Sequence, residues 1–198
     1  MIKIKVAISG NIGSGKSTLA NYLKSKGYAV IYSDYISKEI LSSDEVIKQE
    51  VKDEFGNEAY TNSGVNKKFL AEQVFSSSKK LSRLNSILHP EVLKTIDSLV
   101  ETKYTDNKFI FIESALVYEA GLEFEFDYVV LVMADFDVRL HRSVKKGSYT
   151  EKEFRIRNRN QIPDEQKKKK ADFIFLNNGS KESLYNKADL LLLTLNSI

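Results

Sequence analysis

A chain of 198 residues is long enough for one domain with a substantial core and does not require two. With 42% apolar and 29% charged residues it has the balance of an ordinary globular protein rather than a disordered one, no stretch approaches the ~18 continuous apolar residues of a membrane span, and zero cysteines exclude disulfides, thiolate catalysis and zinc–thiolate sites. The net charge of +3 is unevenly spread, because residues 139–170 carry twelve Lys/Arg against four Asp/Glu, a local +8 that leaves −5 for the rest.

In chain order, Ile4, Val6 and Ile8 read as a buried strand within the apolar run Ile2 to Ser9. Gly10-Asn11-Ile12-Gly13-Ser14-Gly15-Lys16-Ser17-Thr18 follows and meets the phosphate-loop pattern G-x-x-x-x-G-K-[ST]. Leu19, Ala20 and Leu23 then recur at helical spacing until Gly27. Ala29 to Tyr32 is a second strand ending at Ser33-Asp34, with a helix after it. Asp44 to Phe55 is amphipathic and stops at Gly56-Asn57, Glu58 to Lys67 is a polar loop without period, and Phe69 to Phe75 and Leu81 to Leu88 resume helical spacing. His89-Pro90 is expected to break that pattern, with Pro90 in the first turn of a further helix through Leu99.

Phe109 to Glu113 and Tyr128 to Met133 are short apolar runs suited to strands buried on both faces of a parallel sheet. Ala134 to Lys146 reads as helix, Thr150-x-x-Glu153 as a capping box, Asp172 to Leu176 as the fifth strand, and Ser180 as the start of a C-terminal helix whose Leu190 to Leu193 run is expected to pack on the sheet. Strands alternating with helices give a doubly wound α/β domain with a five-stranded parallel sheet, a helical insertion and a helical lid. The expected division is a core of residues 1–42, 104–138 and 171–198, an insertion at about 43–103 and a basic lid at about 139–170. Ligands then gather at the carboxyl ends of the strands, where the phosphate loop, Asp34, Glu113 and Asn177 to Gly179 fall.

The loop's residue types serve separate ends. Gly10, Gly13 and Gly15 let backbone N–H groups curl toward phosphate oxygens, with Ser14 between them, and a helix N-terminus faces the anion. Lys16 reaches the β- and γ-phosphates, Ser17 is placed to ligate Mg²⁺, and Thr18 assists the α-phosphate, so ATP and Mg²⁺ are the expected ligands. The basic block reads as a lid over triphosphate. It offers no interleaved stacking residues beyond Tyr149 and Phe154, so no nucleic-acid partner is expected. Lys167 to Lys170 point in four directions of a helix and are expected to be solvated, and His141 is expected to be structural.

These residues together resemble the dephospho-CoA kinase family over nearly the whole length. The resemblance rests on the phosphate loop, Val30-Ile31-Tyr32-Ser33-Asp34, Leu84-Asn85-Ser86-Ile87-Leu88-His89-Pro90, Leu116 to Leu122, Arg157 with Gln161, Lys167 followed by Ala171-Asp172, and Asn177-Asn178-Gly179. It implies transfer of the γ-phosphoryl group of ATP to the 3′-hydroxyl of dephospho-CoA, with the insertion on the CoA side; the absence of cysteine agrees with a cytoplasmic address, and a monomer is favoured with the oligomeric state left open. Asp34 would accept the hydroxyl proton. Lys16 and Arg142 would neutralise the transferred group, Asn177 and Gly179 would flank the adenine, and His89, Glu113 and Arg157 would contact the acceptor. Tyr32 and Tyr118 either line the acceptor pocket or pack. The chain departs from the family in carrying Tyr32 for the first of two acids at the end of strand two, Lys38 for an arginine, Glu113-Ser114-Ala115-Leu116-Val117 for Asp-x-Pro-Leu-Leu, and Lys146-Gly147 for a lid arginine and acid. The alternatives are another small-molecule phosphate-loop kinase, such as a nucleoside monophosphate kinase, or a nucleotide-dependent binding protein of GTPase type. The chain is read as lacking the guanine-selecting Asn/Thr-Lys-x-Asp motif of the latter.

Overall fold

The computed structural model describes residues 2–197. The chain forms two compact units, one from the segment up to Ile31 and from Tyr104 onward, the other from Tyr32–Lys103. The first opens with β1 (Ile4–Ser9), α1 (Lys16–Ser25) and β2 (Ala29–Tyr32).

The second unit contains α2 (Ser33–Ser43), α3 (Glu45–Phe55), a hairpin of β3 (Tyr60–Thr61) and β4 (Gly64–Val65), α4 (Lys67–Ser76) and α5 (Ser78–Thr102). The hairpin lies where sequence suggested only a polar loop. It is two residue pairs long, Tyr60 opposite Val65 and Thr61 opposite Gly64, too short to leave a period. The expected break at His89-Pro90 is also absent. One 25-residue helix runs through Pro90, because Leu84, Ile87, Leu88, Val92, Ile96 and Val100 form a single buried face on both sides of it. That burial offsets the hydrogen bond and the steric fit that proline costs a helix interior, about 3 kcal/mol. Within this unit α5 packs against α2, α3 and α4.

The first unit resumes with β5 (Phe109–Glu113), β6 (Tyr128–Met133), α6 (Phe136–Lys145), α7 (Glu151–Arg159), α8 (Asp164–Lys167), β7 (Phe173–Leu176) and α9 (Lys181–Asn196). The five strands form one parallel sheet in the order β2-β5-β1-β6-β7. Val6 to Ile8, Ile110 to Ile112 and Val130 to Val132 are fully buried, as the continuous apolar runs require of central strands. β7 is an edge strand, with Phe175 buried and Phe173 half-buried on one face and Ile174 and Leu176 exposed on the other. The chain leaves β1 toward one edge for β2 and builds β6 and β7 on the other side. The phosphate loop therefore sits at a point where strand order reverses. In α9 the leucine run divides: Leu191, Leu192 and Leu195 are buried, whereas Leu190 and Leu193 are 62% and 69% exposed, because a helix face cannot hold four consecutive residues. No described helix is long and apolar enough to cross a membrane.

Candidate active site

Register brings the carboxyl ends of the central strands level. Ile8 pairs with Glu113 and Ser9 with Leu131, so the loop leaving β1 begins beside the last residue of β5. The loop is built for close approach. Gly13 and Gly15 have φ of +77° and +109°, and a Cβ on either would lie 2.6 Å from the Arg139 carbonyl oxygen or 2.3 Å from Asn177 Nδ2. Gly15 is also the N-cap of α1, and no side chain caps that end, which leaves backbone N–H groups for an anion. Ser14 is fully buried with its Oγ unpartnered.

Lys16 is only 8% exposed, and its ammonium donates to the Asn11 carbonyl oxygen at 3.3 Å. The Ser17 hydroxyl donates to Glu113 Oε1 at 3.2 Å, with Glu113 itself buried at the end of β5. These two hard oxygen donors are of the kind that would suit Mg²⁺. Thr18 stands in the first turn of α1, where its N–H is turned back to the Gly15 carbonyl.

The loop after β7 closes the other side. Asn177 continues the β6 pairing through its N–H to the Met133 carbonyl at 2.7 Å, and its side-chain amide donates to the Ser14 carbonyl at 2.7 Å. Arg142, expected to close over the phosphates, donates to the carbonyls of Asn177 (2.7 Å) and Gly179 (3.0 Å). Arg157 lies with its guanidinium carbon 4.4 Å from the centre of the Tyr149 ring. Together the first unit assembles Gly13 to Thr18, Glu113, Arg142, Asn177 and Gly179.

Asp34 and His89 belong to the second unit. Asp34 is exposed in the first turn of α2, whose N-cap is Tyr32, so its carboxylate does not cap that helix. His89 is half-buried in α5, and burial holds its imidazole below its usual pKa. Tyr32 stacks edge-on with Tyr35. Tyr118 packs in the core with Ala7, Val117, Val129 and Leu131, and burial raises its phenol well above the ordinary range.

The basic segment is not a uniformly solvated lid. Lys167, expected on an open helix face, is 1% exposed, because α8 ends there and the chain then turns, directing this one side chain inward. Its ammonium donates to Glu119 Oε1 at 2.6 Å and to Asn11 Oδ1 at 2.7 Å. Lys170 pairs with Glu123, and Lys168 and Lys169 are exposed. Arg139 is buried as well, donating to the carbonyls of Ala134 (2.9 Å) and Ile12 (3.2 Å) and to Asn158 Oδ1 (2.7 Å). No spacing rule marks these two among twelve cations. The Ala171-Asp172 that follows Lys167 was the one available cue.

The guanine-selecting pattern read as missing is in fact spelled by Asn186-Lys187-Ala188-Asp189. It lies inside α9, where Tyr22 OH occupies both oxygens of Asp189 at 2.9 and 2.8 Å and Lys187 donates to the Leu176 carbonyl. The carboxylate is committed to helix packing rather than to reading a base.

A family model described as dephospho-CoA kinase matches residues 4–183. A Bacteroides fragilis dephospho-CoA kinase is 35% identical over 178 residues, covering 90% of this chain and 86% of the relative. A solved Thermus thermophilus structure superposes with a TM-score of 0.82 at 32% identity, covering 98% of this chain and 99% of the other. The dephospho-CoA kinase from Campylobacter jejuni shares the fold, with a TM-score of 0.70 at 23% identity and 98% of each chain covered. The match extends far beyond the phosphate loop, through the second unit and the basic segment, and this chain belongs to the dephospho-CoA kinase family.

Proposed function

We infer that the protein transfers the γ-phosphoryl group of ATP to the 3′-hydroxyl of dephospho-CoA, releasing ADP and CoA. The observation that carries this is the family match over residues 4–183, because it spans the second unit as well as the nucleotide loop that many kinases share.

Phosphoryl transfer asks the protein for position and charge neutralisation rather than covalent chemistry. The uncapped N–H groups at the start of α1 would hold phosphate oxygens, and Lys16 would exchange its bond to the Asn11 carbonyl for the β- and γ-phosphates. Ser17 and Glu113 would hold Mg²⁺, which supplies positive charge to the phosphates when bound. Arg142 would serve the nucleotide by bracing the Asn177 to Gly179 loop at the adenine side. Direct contact with the γ-phosphate would require it to give up both carbonyls.

Asp34 would accept the 3′-hydroxyl proton as the new O–P bond forms and the bond between the γ-phosphorus and the bridging oxygen of ADP breaks. His89 and Arg157 would contact dephospho-CoA, the latter through its phosphates. Incubation with ATP, Mg²⁺ and dephospho-CoA should yield ADP and a product heavier by one phosphoryl group, with the new ester on the ribose 3′-oxygen by phosphorus NMR. ADP without that ester would reject the assignment.

A further inference from the structure

The phosphate loop is gripped from outside by a segment far along the chain. Ile12 N–H donates to Gln161 Oε1 at 2.7 Å, the Asn11 amide donates to the Ile162 carbonyl at 3.2 Å, and Asn11 Oδ1 accepts from Lys167. Glu119 Oε1 accepts both Lys167 and the Ile162 N–H, the latter at 3.1 Å. One carboxylate oxygen thus fixes the lysine and the backbone that the asparagine bonds. The side chains of Lys167 and Glu119 are 0% and 9% exposed.

Such an arrangement is poor value for stability alone. Taking both charges out of water is costly, an apolar pair of similar volume is often as stable, and Glu119 Oε2 is left buried without a partner. What the pair does achieve is geometric. Asn11 carries the carbonyl that receives Lys16, so the placement of Asn11 sets the resting position of the ammonium that meets the phosphates.

We propose that Lys167 is a positioning residue for nucleotide binding: paired with Glu119, it fixes Asn11 and thereby the curl of the phosphate loop. The proposal rests on the reading of that loop as the ATP site. Without the Lys167 ammonium, Asn11 Oδ1 loses a charge-assisted bond in a buried place, and the loop must be ordered by the incoming phosphates instead of beforehand.

The test is titration of ATP·Mg²⁺ by calorimetry into the wild type, Lys167→Met, Glu119→Gln and Lys170→Met, each with its melting temperature. Lys167→Met should weaken ATP roughly tenfold, as loss of one charge-assisted bond implies. Glu119→Gln, which keeps the shape and the acceptor, should weaken it in the same direction by a smaller factor. Lys170→Met, removing a half-exposed partner of Glu123, should bind ATP as the wild type does. Steady-state kinetics should place the Lys167→Met effect in the KM for ATP and leave the acceptor KM unchanged. Melting temperatures that fall while ATP affinity stays within about twofold would overturn the proposal by making the pair purely structural. If Lys167→Met does not fold, Glu119→Gln decides by the same criterion. The titration needs no acceptor, so a different acceptor would leave its result standing, whereas a wild type that fails to bind ATP would overturn the function and the inference together.

Discussion

Asp34 stands in the first turn of α2, exposed and not used as the helix cap. A carboxylate there interacts with the helix dipole for about 0.3–1 kcal/mol, which bounds what its charge gives to stability. Asp34→Asn should therefore lower kcat by roughly 10²- to 10⁴-fold, the range for loss of a general base, with ATP affinity and melting temperature nearly unchanged. Retention of more than about a tenth of the wild-type rate would remove Asp34 from proton acceptance. Asp164 gives a prediction about pH. Burial raises its pKa against the opposing pull of Arg139, Lys167 and Lys16, and its Oδ1 is unpartnered. A carboxyl whose pKa is higher folded than unfolded contributes stability below its unfolded pKa and loses it as pH rises through the folded value. Asp164→Asn should then raise the melting temperature more at pH 7 than at pH 4, and a larger gain at pH 4 would contradict this sign. At this scale the backbone of the phosphate loop was legible, because Gly13 and Gly15 take the positive φ and the close approaches that the pattern's glycines serve. Lys167 was not, since which of four adjacent lysines turns inward depends on where α8 ends.

α5 carries Pro90 in its interior, with no N–H to offer the Ser86 carbonyl one turn back. Pro90 is exposed and the buried face on either side does not depend on its ring. Pro90→Ala should restore the bond and stabilise the protein by about 1–3 kcal/mol in urea unfolding. A loss of stability would show that the ring relieves a strain elsewhere in the helix. Local chemistry predicted most element ends: Asp44 caps α3 through the N–H groups of Val46 and Ile47, Ser180 caps α9, and Thr150 with Glu153 forms the reciprocal capping box of α7. The misreadings have separate physical causes. Proline at His89-Pro90 is a local stop signal overridden by a long apolar face, the β3–β4 hairpin is too short for a period, and Leu190 to Leu193 cannot all share one helix face.

For the whole molecule, the sheet order places the phosphate loop and Glu113 at the carboxyl ends of neighbouring strands, and the second unit is inserted in sequence between β2 and β5. The alternation of strands and helices made the α/β class readable, but pairing order required the structure: β2 follows β1 in sequence yet lies at the edge, with β5 between them. The nucleotide half would serve any kinase of this architecture, so the central claim is the acceptor. The most direct measurement is ADP release by a coupled assay, with dephospho-CoA, AMP, CMP and pantothenate compared at equal concentration against a control without added acceptor, in which water alone can serve. The account predicts that dephospho-CoA supports turnover with kcat/KM at least roughly 10²-fold above every other acceptor. Turnover with AMP or CMP that equals or exceeds it would contradict the account.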